Sequence, residues 1–149
     1  MQVSRDIEVN ATPAAVWAYI TNIKEASSWI SGIKSIEVLE EAKGPSIVGL
    51  KWQETREFMG KDATEVMWIT DATEPKFYQT RAESHGSIYV SRMEVEEQGS
   101  GSRLTMSFDG QPVTFTAKLL WALTGWMAKK ALYKTIDQDL QDIKKAAEG

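Results

Sequence analysis

The chain has 149 residues, 42% hydrophobic and 26% charged, with a net charge of −4 and no cysteine. That length suits one domain over residues 1–149 with a real core, and the lack of cysteine excludes a disulfide frame, a thiol nucleophile and a thiolate metal site. The acidic balance argues against a nucleic-acid partner, whose phosphates call for a basic face.

Residues 2–10 alternate as a first strand, with Val3, Ile7 and Val9 on one side. Thr12 caps and Pro13 opens a helix whose apolar side is Val16, Trp17 and Ile20. A second short helix is predicted over residues 23–29, then a strand over 33–41, a turn at 43–45 and a strand over 48–59. In that strand Leu50, Trp52, Glu54, Arg56 and Phe58 share one face. Gly60 and Lys61 suit a two-residue type II′ turn, which sets Phe58 opposite Ala63, Arg56 opposite Glu65, Glu54 opposite Met67 and Trp52 opposite Ile69.

Glu74-Pro75 breaks the next run, and residues 77–84 and 87–95 form a hairpin across His85-Gly86. Its pairing sets Tyr78 against Met93, Thr80 against Ser91 and Ala82 against Tyr89. Residues 98–102 read as a flexible loop, and residues 103–110 as a strand with Leu104, Met106 and Phe108 inward. A proline-free run from 115 to about 147 then carries Leu119, Leu123, Trp126, Tyr133, Ile136, Leu140 and Ile143 on one helical stripe. At ~1.5 Å per residue this helix is roughly 50 Å long, and the whole stripe is expected to cover the sheet. The order is strand, two helices, about six strands, helix: an α+β fold. A long helix across a curved sheet leaves a space between them, and that space suggests binding.

The inward charges are the chemistry candidates. Glu54, Arg56 and Glu65 fall together on one otherwise apolar face, and buried charges survive only when paired. As an anchor, Arg56 would meet a ligand's carboxylate, carbonyl or phenolate. As an enzyme, Glu54 or Glu65 would move a proton. The plain alternative is a structural ion-pair set near the sheet rim. Tyr78, Tyr89, Thr80 and Ser91 add hydroxyls to that face, and Trp52, Met67, Met93, Met106 and Phe108 add apolar bulk. From the helix, Leu123, Trp126, Met127 and Tyr133 are expected to complete the lining, although such residues at strand or helix spacing are more often plain core. His85, the one histidine, sits in a turn, so neither a Ser-His-Asp triad nor a histidine metal site can be built, and no cofactor is called for. Tryptophans beside Lys129 and Lys130 also raise a transient membrane-surface contact, in competition with covering the sheet. The start, Met1 to Asp6, has neither the basic patch nor the apolar run of a signal peptide, no window is apolar enough to span a bilayer, and the cysteine-free composition fits the cytoplasm. Nothing in the pattern sets an oligomeric state.

Several segments, in this order and spacing, resemble the START-like superfamily, also called SRPBCC. They are ATPAAVWAYITN at 11–22, SSWISGIKSIEVL at 27–39, VGLKWQETREFMG at 48–60, GSRLTMSF at 101–108 and LQDIKKAAE at 140–148. The branch most resembled is that of polyketide cyclases/dehydrases and lipid-transport proteins, which shares the helix-grip fold of birch-pollen-type allergens. The resemblance implies a seven-stranded antiparallel sheet curled around the last helix and enclosing a cavity for a hydrophobic small molecule. Members bind lipids, sterols, quinones, hormones or polyketides, some as enzymes and many as carriers.

Overall fold

In the computed structural model, which describes Met1–Gly149, the alternating segments form seven strands. These are β1 (Gln2–Val9), β2 (Ile33–Glu40), β3 (Lys51–Phe58), β4 (Lys61–Thr73), β5 (Phe77–Ser84), β6 (Ser87–Gln98) and β7 (Gly101–Pro112). They pair antiparallel in one sheet, ordered β1-β7-β6-β5-β4-β3-β2. Helix α1 (Pro13–Thr21) and the 3₁₀ turn Ile23–Ser28 follow β1, and helix α2 (Phe115–Glu148) closes the chain. This is the helix-grip architecture. No helix is long and apolar enough to cross a membrane.

Local chemistry accounts for the helix starts. Thr12 Oγ1 accepts from the Ala15 amide at 3.2 Å, with proline at the first helical position, and Thr114 Oγ1 accepts from the Ala117 amide at 3.2 Å. The core gathers at one end of the sheet. There Val16, Trp17 and Ile20 of α1 and Ile136, Leu140 and Ile143 of α2 pack with Val9, Val95 and Leu104. Polar ties fix the same half of α2. Lys144 Nζ donates to the Glu8 carbonyl at 2.8 Å, Asp142 accepts from the Ser31 amide and hydroxyl at 2.9 and 2.7 Å, and Glu148 accepts from the Asn10 amide at 2.7 Å. The first half of α2 has no comparable set of ties.

The β3–β4 hairpin differs from the expected register. Its turn is Met59-Gly60, with φ of 55° and 78°, the type I′ geometry. Trp52 therefore faces Met67, Glu54 faces Glu65, Arg56 faces Ala63 and Phe58 faces Lys61. The slip is two residues, so every side chain keeps its face while its cross-strand neighbour changes. Methionine is a poor occupant of positive φ, whereas Asn-Gly is the preferred type I′ pair. Met59→Asn should therefore raise stability by about 0.5–1 kcal/mol in urea unfolding; a loss would mean that the turn is of another type.

The β5–β6 pairing is the expected one, from Tyr78 with Met93 to Ala82 with Tyr89. Residues 98–102 are not a loose loop. Gln98 pairs with Gly101 across a two-residue turn, with Gly99 at φ 59°.

Candidate functional site

A cavity of about 420 Å³ lies between the sheet and the first half of α2. The sheet supplies Met67, Ala82, Tyr89, Met106 and Phe108, with the hydroxyls of Thr80 and Ser91 among them. The helix supplies Trp121, Gly125, Ala128 and Leu132 from its cavity side. One charged cluster, Glu54, Arg56 and Asp139, closes the end nearest the core.

The helix face that looks into the cavity is not the greasiest one. Counting back from Ile136 at ~100° per residue, Gly125 falls within about 20° of it, whereas Trp126 lies about 80° to the other side. Gly125 and Ala128 are small, so the helix turns a recess rather than a ridge toward the sheet. Trp121 caps the far end. Its ring lies 6.3 Å from that of Tyr89, and it rests on Gly110, where an added Cβ would sit 2.7 Å from the indole. A side chain at position 110 would push Trp121 off the sheet.

The charged end is assembled from three elements. Arg56 Nε donates to Glu54 Oε2 at 3.0 Å, and Arg56 Nη2 donates to Asp139 Oδ2 at 3.1 Å. Glu54 also accepts from Trp52 Nε1 at 3.5 Å. Two carboxylates thus share one guanidinium in a poorly solvated corner. Burial pushes the Asp139 carboxyl up to about 6; attraction from Arg56 offsets only part of this, and the like charge of Glu54 adds to it. For Arg56, burial works against the charged form, but the two carboxylates more than compensate and hold its pKa above the ordinary value. Burial also raises the Tyr78 phenol, with the charges of Glu54 and Asp139 adding to it, so its hydroxyl stays protonated.

The cavity brings together Glu54, Arg56, Glu65, Met67, Thr80, Tyr89, Ser91, Met106 and Phe108, nine of the residues singled out from sequence. Glu65 stands apart from the arginine and accepts from the Ser84 hydroxyl at 2.9 Å. The expected Glu54–Arg56–Glu65 trio is thus replaced by Glu54–Arg56–Asp139, because the hairpin slip moves Glu65 opposite Glu54 and α2 supplies the second partner.

Trp52, Tyr78 and Met93 are buried beyond the charged cluster, around a smaller space of about 100 Å³. Tyr133 lies outside the cavity, with the Arg5 guanidinium 4.1 Å from its ring centre. Leu123, Trp126 and Met127 were expected inside and are outside, at 67%, 70% and 43% exposure. The pattern missed Asp139, Trp121, Gly125, Ala128 and Leu132. A signal existed for three of them: Gly125 and Ala128 are small residues at helical spacing, which mark a recess, and Asp139 is an acid set between Ile136, Leu140 and Ile143.

The family model described as polyketide cyclase / dehydrase and lipid transport matches residues 1–148, and the chain belongs to that family. In fold it is similar to TTHA0849 from Thermus thermophilus, at 13% identity over 99% of this chain and 97% of that one, TM-score 0.83. It is also similar to a START superfamily protein from Mycobacterium smegmatis, at 16% identity over 99% and 97%, TM-score 0.79. A third similar structure is the Zhui aromatase/cyclase from Streptomyces sp. R1128, at 15% identity over 99% and 93%, TM-score 0.80. No curated protein matches the chain by sequence. Family and fold together make this a ligand-binding architecture.

Proposed function

We propose that the protein binds a hydrophobic or amphipathic small molecule, lipid- or polyketide-like, in the cavity under α2. The observation that carries this reading is an apolar hollow of about 420 Å³, kept open by Gly125 and Ala128 and ended by a charged cluster. Sites for small organic ligands typically measure ~300–1,000 Å³, apolar with a few converging polar groups. Burial of the ligand's apolar body against Met67, Met106, Phe108 and Leu132 would supply most of the affinity. The polar end sets orientation. Arg56 already serves two carboxylates, and Glu65 adds a third acid to the lining, so acceptors outnumber donors. Such an end favours a hydroxyl, phenol or amine over the carboxylate expected from Arg56 alone.

The test is uptake of Nile red, alongside native mass spectrometry of freshly purified protein for a retained ligand. A Cβ added at Gly125 meets nothing within 4 Å, so leucine there enters open space. Gly125→Leu should weaken Nile red binding at least ~10-fold by filling the hollow, while better helix propensity adds up to ~0.8 kcal/mol of stability. Trp126→Ala, on the outer face, should leave that affinity as it was. Binding unchanged by Gly125→Leu would overturn the reading.

One observation favours a second reading, a cyclase- or dehydratase-type enzyme acting on a polyketide-like substrate. Asp139, with its carboxyl near 6, lines the cavity and could exchange a proton close to neutral pH. Glu54 and Glu65 are the other inward carboxylates for that role. Turnover of a poly-β-keto thioester that survives Asp139→Asn, Glu54→Gln and Glu65→Gln would remove this reading.

A further inference from the structure

We infer that the first half of α2 is a docking surface for an anionic phospholipid bilayer. The outer face of the helix carries Phe115, Leu119, Leu120, Leu123, Trp126 and Met127, all exposed, with Phe115 at 81%. These side chains lie within four helical turns and form one ridge that no element of the fold covers. A large contiguous apolar surface on a small water-soluble domain marks an interaction site.

Charge selects the occupant. Between positions 110 and 136 the chain holds Lys118, Lys129, Lys130 and Lys134 and no acid, in a protein whose net charge is −4. All four lysines are exposed, and none is in an ion pair. Tryptophan, phenylalanine and leucine on one face, with Lys118 and Lys129 beside them and Lys130 and Lys134 continuing their line, are what an interfacial helix presents to a lipid surface. A second copy fits less well. Two such helices paired about a two-fold axis near Leu123 would set Lys118 of each against Lys129 and Lys130 of the other, like charge on like.

The ridge also borders the cavity: Leu120, and Thr124 one turn on, line it beside Trp121 and Gly125. Seated on a bilayer, the helix would hold the hollow beside the acyl region. That use, collecting or delivering a lipophilic molecule, rests on the ligand-binding reading above, whereas docking itself rests on the ridge and its lysines alone.

The experiment is co-sedimentation of the whole chain with vesicles of phosphatidylcholine alone or mixed with phosphatidylglycerol. Binding should be at least ~10-fold tighter to the anionic vesicles and should fall at high salt. Leu123→Glu combined with Trp126→Glu should reduce it at least ~10-fold, and Lys129→Glu with Lys130→Glu should abolish the anionic preference. Because these side chains are exposed, both variants should keep the parent's melting temperature and Nile red affinity, which separates failure of docking from failure of the cavity. Docking is overturned by absence of binding to anionic vesicles, or by binding that both double variants retain. It is likewise overturned if the parent self-associates in sedimentation velocity, the Leu123/Trp126 variant does not, and anionic vesicles fail to compete.

Discussion

An Arg56→Leu variant should lose about 3–5 kcal/mol of folding stability at pH 8, a large share of the ~5–15 kcal/mol that holds a domain folded. The loss follows from what stays behind. Glu54 and Asp139 keep 11% and 4% side-chain exposure, and each would be left as a buried carboxylate without its guanidinium. In a domain of this size such a loss lowers the melting temperature by roughly 6–20 °C. It should also depend on pH with a definite sign. Without arginine the Asp139 carboxyl, already raised by burial, loses the attraction that offsets it and is harder still to ionise in the folded state. Its contribution is therefore intact in acid and lost as pH rises through its folded-state pKa. The gap between variant and parent should narrow toward pH 4. A triple variant, Glu54→Met with Arg56→Leu and Asp139→Leu, should recover most of the stability, because an apolar replacement of a whole buried ion set is often neutral or better. Urea melts of the three proteins decide it. A single-variant loss under ~1 kcal/mol at pH 8 would show the cluster to be hydrated rather than mutually dependent.

The sheet was legible because its period is two, and a parity signal survives error. The β3–β4 turn came out one residue from its expected place and the cross-strand partners two, yet Trp52, Glu54 and Arg56 stayed on the inner face. What the slip did change was partnership, and partnership is what a site consists of. The β5–β6 hairpin, with its turn pinned by His85-Gly86, gave both face and partner correctly.

The helix was harder to read for a related reason. From Ile136 onward polar residues alternate with apolar ones, so only one face can be buried. Between Leu119 and Met127 almost every direction is apolar, and hydrophobic spacing cannot choose among greasy faces. The structure chooses the face with the least bulk, Gly125 and Ala128, and leaves Leu123 and Trp126 outside. Asp139 escaped because charge on a helix is ordinarily solvated, and its partner Arg56 had two nearer carboxylates to be assigned to.

Asp139→Asn should alter how stability varies with pH more than it alters stability at any one pH. The Asp139 carboxyl ordinarily titrates at 3.8 and is pushed up to about 6 in the fold, chiefly by burial. Well below 3.8, at pH ~3 and under, it is neutral in folded and unfolded chains alike, and its contribution is complete. As pH rises toward and through 6 the unfolded chain ionises first, so the native state loses ground by about 3 kcal/mol. Asparagine keeps an oxygen for Arg56 and carries no charge, so the variant escapes this loss. Plotted as a difference between the two proteins, stability should swing by about 3 kcal/mol toward the variant between pH 3 and pH 8. Carboxylates that behave in the opposite sense drop out of that difference. Glu148, held below its usual range by the Asn10 amide and Lys144, is one, since it is the same in both. Parallel curves would mean that Arg56 keeps Asp139 ionised throughout, and the second, proton-transferring reading of the cavity would then have lost the group that favours it.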